Sequence, residues 1–252
     1  MDRSQDKTAP SRAPAAAPVR RKARASAEGE SDGISASRRL YDILRERILD
    51  LSMEPGMRIV ERDIAAEHQV SRTPVHEAVQ RLADEGLVEI MQRAGTFVAR
   101  IPVDDLEDAM LVRTVLEVAL IQKAAEKVTP EAVARLRRIV EEQKACAAEN
   151  DKAGFHRSDE AFHAALAEIA GHPGVWRTIQ ASKAQVDRFR RLTLPIAGRM
   201  DGVIVEHVAV IDALQSGQAT LAADAMREHL DHVLPAIKVT RGFRPDFFVN
   251  AR

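Results

Sequence analysis

The sequence has few aromatic residues, one cysteine and almost no net charge. Phe, Trp and Tyr together make up 4% of its 252 residues, so aromatics supply little of any core. The lone Cys146 excludes an internal disulfide framework and fits a reducing compartment. In its own right it reads as a small apolar helix residue. The formal net charge is −1, so no global basicity announces a nucleic-acid partner. No apolar run approaches the length of a membrane span, and the N-terminus shows no apolar signal-peptide stretch. These absences point to a cytoplasmic chain with no membrane partner. Gly-rich phosphate loops and internal repeats are also missing. What is present is 45% apolar residues, enough to bury a core, and length for one large domain or two ordinary ones.

Residues 1–36 are rich in Ala, Pro, Ser and Arg, with hardly a bulky apolar side chain. Such a segment cannot bury enough surface to offset its ordering entropy, and a disordered tail is expected. Its cluster of Arg20, Arg21, Lys22 and Arg24 is either solvated or a weak phosphate-contacting arm. From Ser37 the pattern changes. Leu40, Ile43, Leu44, Ile48 and Leu51 form a helical stripe that Pro55-Gly56 ends. Ile59–His68 reads as a second, short helix.

Val70–Leu87 then reads as a sharply started helix with two faces. Ser71 is a natural N-cap, and Pro74 falls in the first turn, where a missing N–H does no harm. Val75, Val79 and Leu82 make a buried stripe. Arg72, His76 and Gln80 recur on another face, as planar or long donors suited to base edges in a major groove. Gly86 sits where a helix stops. Val88–Met91 and Thr96–Ala99 then read as strands joined by Gln92-Arg93-Ala94-Gly95. Helices joined by a tight turn and followed by a hairpin make a winged helix-turn-helix over residues 37–101. That span holds 10 Arg, no Lys and 11 acidic residues, so affinity for DNA must come from where the arginines stand.

Residues 38–101 resemble the DNA-binding domain of GntR-type transcription regulators. The resemblance runs through Pro55-Gly56, Glu61-Arg62-Asp63-Ile64-Ala65, Val70-Ser71-Arg72-Thr73-Pro74-Val75, Glu77-Ala78, Arg81-Leu82, Glu85-Gly86-Leu87 and Ala94-Gly95-Thr96-Phe97-Val98. It implies operator contacts from Arg62 and from the start of the recognition helix, Ser71, Arg72 and Thr73. It also places the wing tip, Gln92 and Arg93, near the minor groove. A third arginine usual before the Glu-Ala pair is replaced by His76, which has less reach and less charge.

Residues 102–240 read as helices throughout, six of them, and residues 241–252 as an irregular tail. Asp104 with Glu107 resembles a capping box at the first start. Thr129-Pro130 caps the second helix and Asp151 starts the third. Gly174–Leu194 is the fourth, and Arg199–Gln215 and Gln218–Lys238 are the last two. The expected fold is mainly α: an N-terminal winged helix-turn-helix plus a C-terminal antiparallel six-helix bundle.

Several polar residues lie where this bundle should be apolar. Asp159 and His163 are one helical turn apart and point to one place. His207 falls on the stripe of Ile204, Val208, Ile211 and Leu214, and His229 on that of Met226, Leu230 and Val233. Each histidine alone reads as a hydrogen-bonded core residue. Three with a carboxylate, all inward, suit Zn, Ni, Mn or Fe. The bundle resembles the FCD ligand-binding domain of the FadR subfamily. The matching residues are Arg113 with Glu117, Asp159-Glu160-Ala161-Phe162-His163, Glu206-His207 and Met226-Arg227-Glu228-His229-Leu230. Six helices point to the shorter, VanR-like version. The resemblance implies a divalent metal on Asp159, His163, His207 and His229.

Arg113, on the inward register of its helix, is either an i, i+4 partner of Glu117 or a carboxylate clamp for an effector. Arg188 and Arg191 are lesser candidates for the clamp, on the alternative that they face solvent. The expected function is a ligand-responsive DNA-binding regulator and not an enzyme. It would be a homodimeric repressor reading an inverted repeat of duplex DNA, released by a small carboxylate. A metal-dependent enzyme fused to a DNA-binding domain is the alternative, although no nucleophile motif stands in the bundle.

Overall fold

A computed structural model describes residues 36–233 and 235–249. All but one residue of the expected N-terminal tail, with its basic cluster, lies outside the described residues. Helix α1 covers 36–49 and turns Leu40, Leu44 and Ile48 inward. The chain reverses at Pro55-Gly56, where Gly56 takes the positive φ (+82°) that side chains resist. Strand β1 (Arg58–Ile59) follows, then α2 (Glu61–Glu67) and α3 (Arg72–Asp84). Ile64 and Ala65 from α2 meet Val75, Ala78, Val79 and Leu82 from α3 in one core. Strands β2 (Val88–Met91) and β3 (Gly95–Val98) pair antiparallel, Val88 opposite Val98, and β1 adds to the far edge of β3. This is a winged helix-turn-helix.

Ser71 does occupy the N-cap position of α3, but its side chain makes no capping bond. Pro74 is the third helical residue, where the N–H that a capping oxygen favours is missing.

Strand β4 (Ile101–Pro102) leads directly into α4 (Val103–Ala125). Pro102, not Asp104, is its N-cap residue. Asp104 and Asp105 lie instead in the first turn, where a carboxylate favours the helix dipole. Next come α5 (Pro130–Ala148) and α6 (Lys152–Ile169). Thr129 accepts from the Ala132 N–H and Asp151 from the Gly154 N–H, so both of these starts are capped as the sequence suggests.

The expected fourth helix is two helices, α7 (Pro173–Ser182) and α8 (Ala184–Thr193), divided at Lys183. Ser182 donates to the Ile179 carbonyl, the kind of local bond that competes with the helical ladder. Helices α9 (Arg199–Gln215), α10 (Ala219–Asp231) and α11 (Pro235–Phe243) complete the bundle. The expected last helix, Gln218–Lys238, is likewise two, α10 and α11, so the stretch read as six helices over 102–240 holds eight, α4 to α11, among the described residues. The stretch read as an irregular tail is ordered into structure up to residue 249. After α11, a 3-10 turn (Pro245–Phe247) leads to β5 (Phe248–Val249), which pairs parallel with β4. The chain thus closes on the short connection between its two units. Among the described residues no helix is long and apolar enough to cross a membrane.

Candidate metal centre and DNA-binding face

Three helices aim imidazoles at one point in the bundle. His163 comes from α6, His207 from α9 and His229 from α10, and none is more than 2% exposed. Ring centroids lie 4.6 Å apart for His207 and His229, 5.3 Å for His163 and His229, and 5.5 Å for His163 and His207. Phe162 stacks on His207 at 3.9 Å and fixes its plane. Two rings bond an acceptor through Nδ1, His207 to Gln143 of α5 at 2.9 Å and His229 to Glu206 of α9 at 2.7 Å, and the Glu117 carboxylate of α4 stands beside His163 Nδ1. A proton held on Nδ1 by such an acceptor leaves the Nε2 lone pair as the coordinating atom.

One nitrogen from each of the three rings can be chosen so that all lie within 4.8 Å of one another. The Nε2 of His207 is buried and has no hydrogen-bond partner among the described residues. Burial, reinforced by the neighbouring histidines, lowers His207 well below its ordinary range and His229 to about 4. Both are therefore neutral at physiological pH, as metal ligation requires.

Asp159 stands beside this trio. Its Oδ2 is 3.9 Å from His163 Nε2 and its Oδ1 is 3.8 Å from His207 Nε2. The carboxylate is wholly buried, and both of its oxygens accept from Arg190 of α8 in a bidentate pair. Burial alone would raise the Asp159 carboxyl, but Arg190 outweighs it and holds the group well below the usual carboxylate range. Arg113 lies against Glu117 and donates to His163 Nε2 at 2.8 Å. So Arg113 makes the pair expected with Glu117 and also reaches the centre. The donor set, three imidazoles and one ionised carboxylate, fits a divalent ion of the Zn, Ni or Mn kind. The orphaned His207 nitrogen and the acceptors bonded to His207 and His229 support that fit.

A second cluster of possible ligands, His156, Glu160 and Asp187, lies between α6 and α8. Its cation is already supplied by Lys183, whose ammonium is 2.7 Å from Glu160 and 2.6 Å and 2.7 Å from the Asp187 oxygens. His156 belongs to this network. Burial lowers it to about 4, so it is a neutral member.

On the N-terminal unit, α2, α3 and the small sheet enclose a groove of about 590 Å³, lined among others by Arg58, Glu61, Arg62, Arg72, His76 and Thr96. Arg62 and Arg72 are 81% and 74% exposed, free to reach a ligand. Glu61 is the organising acid: its carboxylate is 3.0 Å from His76 Nδ1 and 4.0 Å from Arg72. Ser71 and Thr73 are exposed at the start of α3, and Gln92 and Arg93 at the wing tip, where Arg93 takes a positive φ of 65°. Arg58 had no signal in the periodicity, because a two-residue strand has none to show, and Glu61, the first residue of α2, stood in the sequence only as part of the family motif.

Comparison with known proteins gives two family matches. Residues 36–98 match the model of bacterial regulatory proteins of the gntR family, and residues 108–232 match the FCD domain. An HTH-type transcriptional regulator in an unstable DNA locus of Streptomyces ambofaciens is 34% identical over 220 residues, 87% of this chain and 92% of that protein. The chain belongs to the GntR family.

The HTH-type transcriptional repressor RspR of Escherichia coli is 27% identical to this GntR-family chain, over 84% of it and 93% of RspR. In three dimensions the chain is similar to a GntR-type regulator from Rhodococcus, with a TM-score of 0.69 and 24% identity over 81% of this chain and 98% of that one. This GntR-family member is accordingly a DNA-binding transcription regulator with an FCD domain, and not an enzyme. The groove lies in the matched gntR segment, and all three histidines lie in the matched FCD segment. Arg190 also lies there, yet sequence reasoning passed over it, since nothing in α8 announces that it points at α6.

Proposed function

We propose that this protein is a cytoplasmic, homodimeric repressor that reads an inverted repeat and releases it when a small carboxylate binds at a metal in the FCD domain. The observation that carries the reading is the meeting of three buried imidazoles from three helices, one nitrogen of each within 4.8 Å of the others, with the His207 Nε2 left without a hydrogen-bond partner among the described residues. His163, His207, His229 and Asp159 would hold the ion. When bound, it would supply a Lewis-acid centre with room for ligand oxygens. Arg113 sits against His163 and presents a fork that matches a carboxylate. A groove of about 370 Å³ between α9 and α10 reaches His229 past Val205, Ala209 and Ala225, and offers a way in. Repression is supported by the relative RspR, which is a transcriptional repressor.

The DNA half of the reading assigns Arg62, Ser71, Arg72, Thr73, His76, Gln92 and Arg93 to the operator. Two-fold proteins read two-fold sites, and one winged domain spans too few bases alone. Arg72→Ala is expected to cost about 1–3 kcal/mol on a selected duplex if Arg72 reads guanine. Fluorescence anisotropy on that duplex and on a scrambled one separates base reading from phosphate contact: an equal loss on both would remove Arg72 from base readout.

The effector half is tested by calorimetric titration of citrate and lactate into zinc-loaded protein, with and without the selected duplex. Arg113→Ala is expected to weaken binding by about tenfold, the size of one charge-assisted pair. Duplex should weaken the acids by the factor by which they weaken the duplex. Acids that bind equally well with duplex present would refute the coupling.

A further inference from the structure

Helix α8 carries a different arginine on each side. Arg188 and Arg190 are two residues apart, hence about 200° apart around the helix, and both are buried. Arg190 faces the bundle and holds both oxygens of Asp159. Arg188 faces the DNA-binding domain. Its Nη2 donates to the carbonyl of Ala99, just past the wing, and its Nη1 to Gln185 Oε1 at 2.9 Å. Gln185 in turn donates to the carbonyl of Gly86, two residues beyond the recognition helix, at 3.2 Å. Ala184, at the first position of α8, packs on the core of the winged domain. One ten-residue helix therefore touches the metal-centre carboxylate, the end of the recognition helix and the end of the wing.

Arg188 is wholly buried and has an unpaired Nε, with only neutral oxygens as partners. The Glu89 carboxylate is the charge that favours the cation, but burial outweighs it and pushes Arg188 down to about 10, and an apolar side chain of similar volume would often be no worse for stability. Its two carbonyl and amide contacts are directional instead, which suits transmission of position.

We propose that α8 couples the two domains: Arg190 responds to whatever engages Asp159, and Arg188 with Gln185 passes the shift of α8 to residues 86–99. The inference rests on the metal reading above. A carboxylate has two oxygens, and Arg190 takes both. A cation that draws on either must weaken the bidentate pair. Helix α8 is bounded by the break at Lys183 and by the turn at Pro195–Gly198, where Gly198 has φ +76°. Such ends let a short helix move as a unit. The competing route, through α4, is tied down. Arg100 donates to the Asp246 carbonyl at 2.9 Å, and β4, which leads into α4, is paired with β5.

The test is hydrogen exchange followed by mass spectrometry on the full chain, with zinc chloride as the probe and calorimetry to measure zinc affinity. In the wild type, zinc is expected to change exchange by about threefold or more in residues 184–193 and in 86–101. Arg188→Met should keep zinc affinity and the response in α8, and lose the response in 86–101. Gln185→Leu, which leaves the arginine in place, should reduce it and serves if the methionine variant does not fold. A response in 86–101 that survives in both variants, or a wild-type response in 103–113 with none in α8, overturns the proposal. A wild type that binds no zinc overturns the metal reading and, with it, this one; zinc binding without the α8 response overturns this one alone.

Discussion

Zinc added to the purified protein is expected to raise its melting temperature, and a chelator to reverse the shift. An ion that binds only the folded chain stabilises it by about 4 kcal/mol when its free concentration is a thousand times Kd. For a chain of this size that corresponds to roughly 8–16 °C. The effect should be this large because three imidazoles, those of His207 and His229 neutral, and an ionised carboxylate are already brought together by α6, α9 and α10, so little ordering is left to the ion. His207→Ala should abolish the zinc-dependent shift, while also loosening the unliganded core through loss of the Phe162 stack. Differential scanning calorimetry with zinc, with nickel and with chelator makes the measurement. An equal shift in wild type and His207→Ala would place the ion elsewhere and remove this centre.

Arg190→Ala is expected to be the most destabilising single change in the α8 region, at about 3–5 kcal/mol, because it strands a buried charge. Asp159 is fully buried and both its oxygens depend on that guanidinium. Without it, burial would drive the carboxyl upward, so part of the loss should be recovered as pH falls and the acid protonates. Asp159→Asn should relieve the defect as well: the double variant is expected to be more stable than Arg190→Ala alone. Saturating zinc should narrow the gap between Arg190→Ala and wild type, since the ion supplies positive charge at the same oxygens. Urea unfolding of the four chains forms a double-mutant cycle. A cost for Arg190→Ala below about 1 kcal/mol, the range of an exposed pair, would mean that solvent reaches Asp159 and that the pair is not what holds it.

Periodicity made much of this molecule legible. The inward stripe of α3 and the placement of His207 and His229 on apolar faces both follow from a 3.6-residue repeat. So does the pairing of Asp159 with His163 one turn apart. The partners behind the histidines were harder to see. Gln143 comes from α5, and only the packing of α5 on α9 brings it to His207. Arg190 was missed because its role depends on the direction of α8. The direction is set at the break between α7 and α8, where the Lys183 ammonium is buried between Glu160 and Asp187. Arg188, for which the sequence leaves a clamp or a solvent-facing place open, is wholly buried; no local pattern distinguishes the two. The capping box at Asp104 failed for a similar reason, since pairing of β4 with β5 fixes where α4 begins. Two-residue strands carry no alternation to read.

That pairing has a practical meaning for chimeras. Regulators of this architecture invite exchange of one reading head for another, with the cut at the short connection near residue 100. Here the seam is stitched from three directions: Arg188 to Ala99, Gln185 to Gly86, and Arg100 to Asp246, with Ile101 opposite Phe248. A transplant of 36–98 alone would leave its new host without the side chains that hold it. A graft that carries residues 36–102 together with α8 and 244–249 would move the head with its mount.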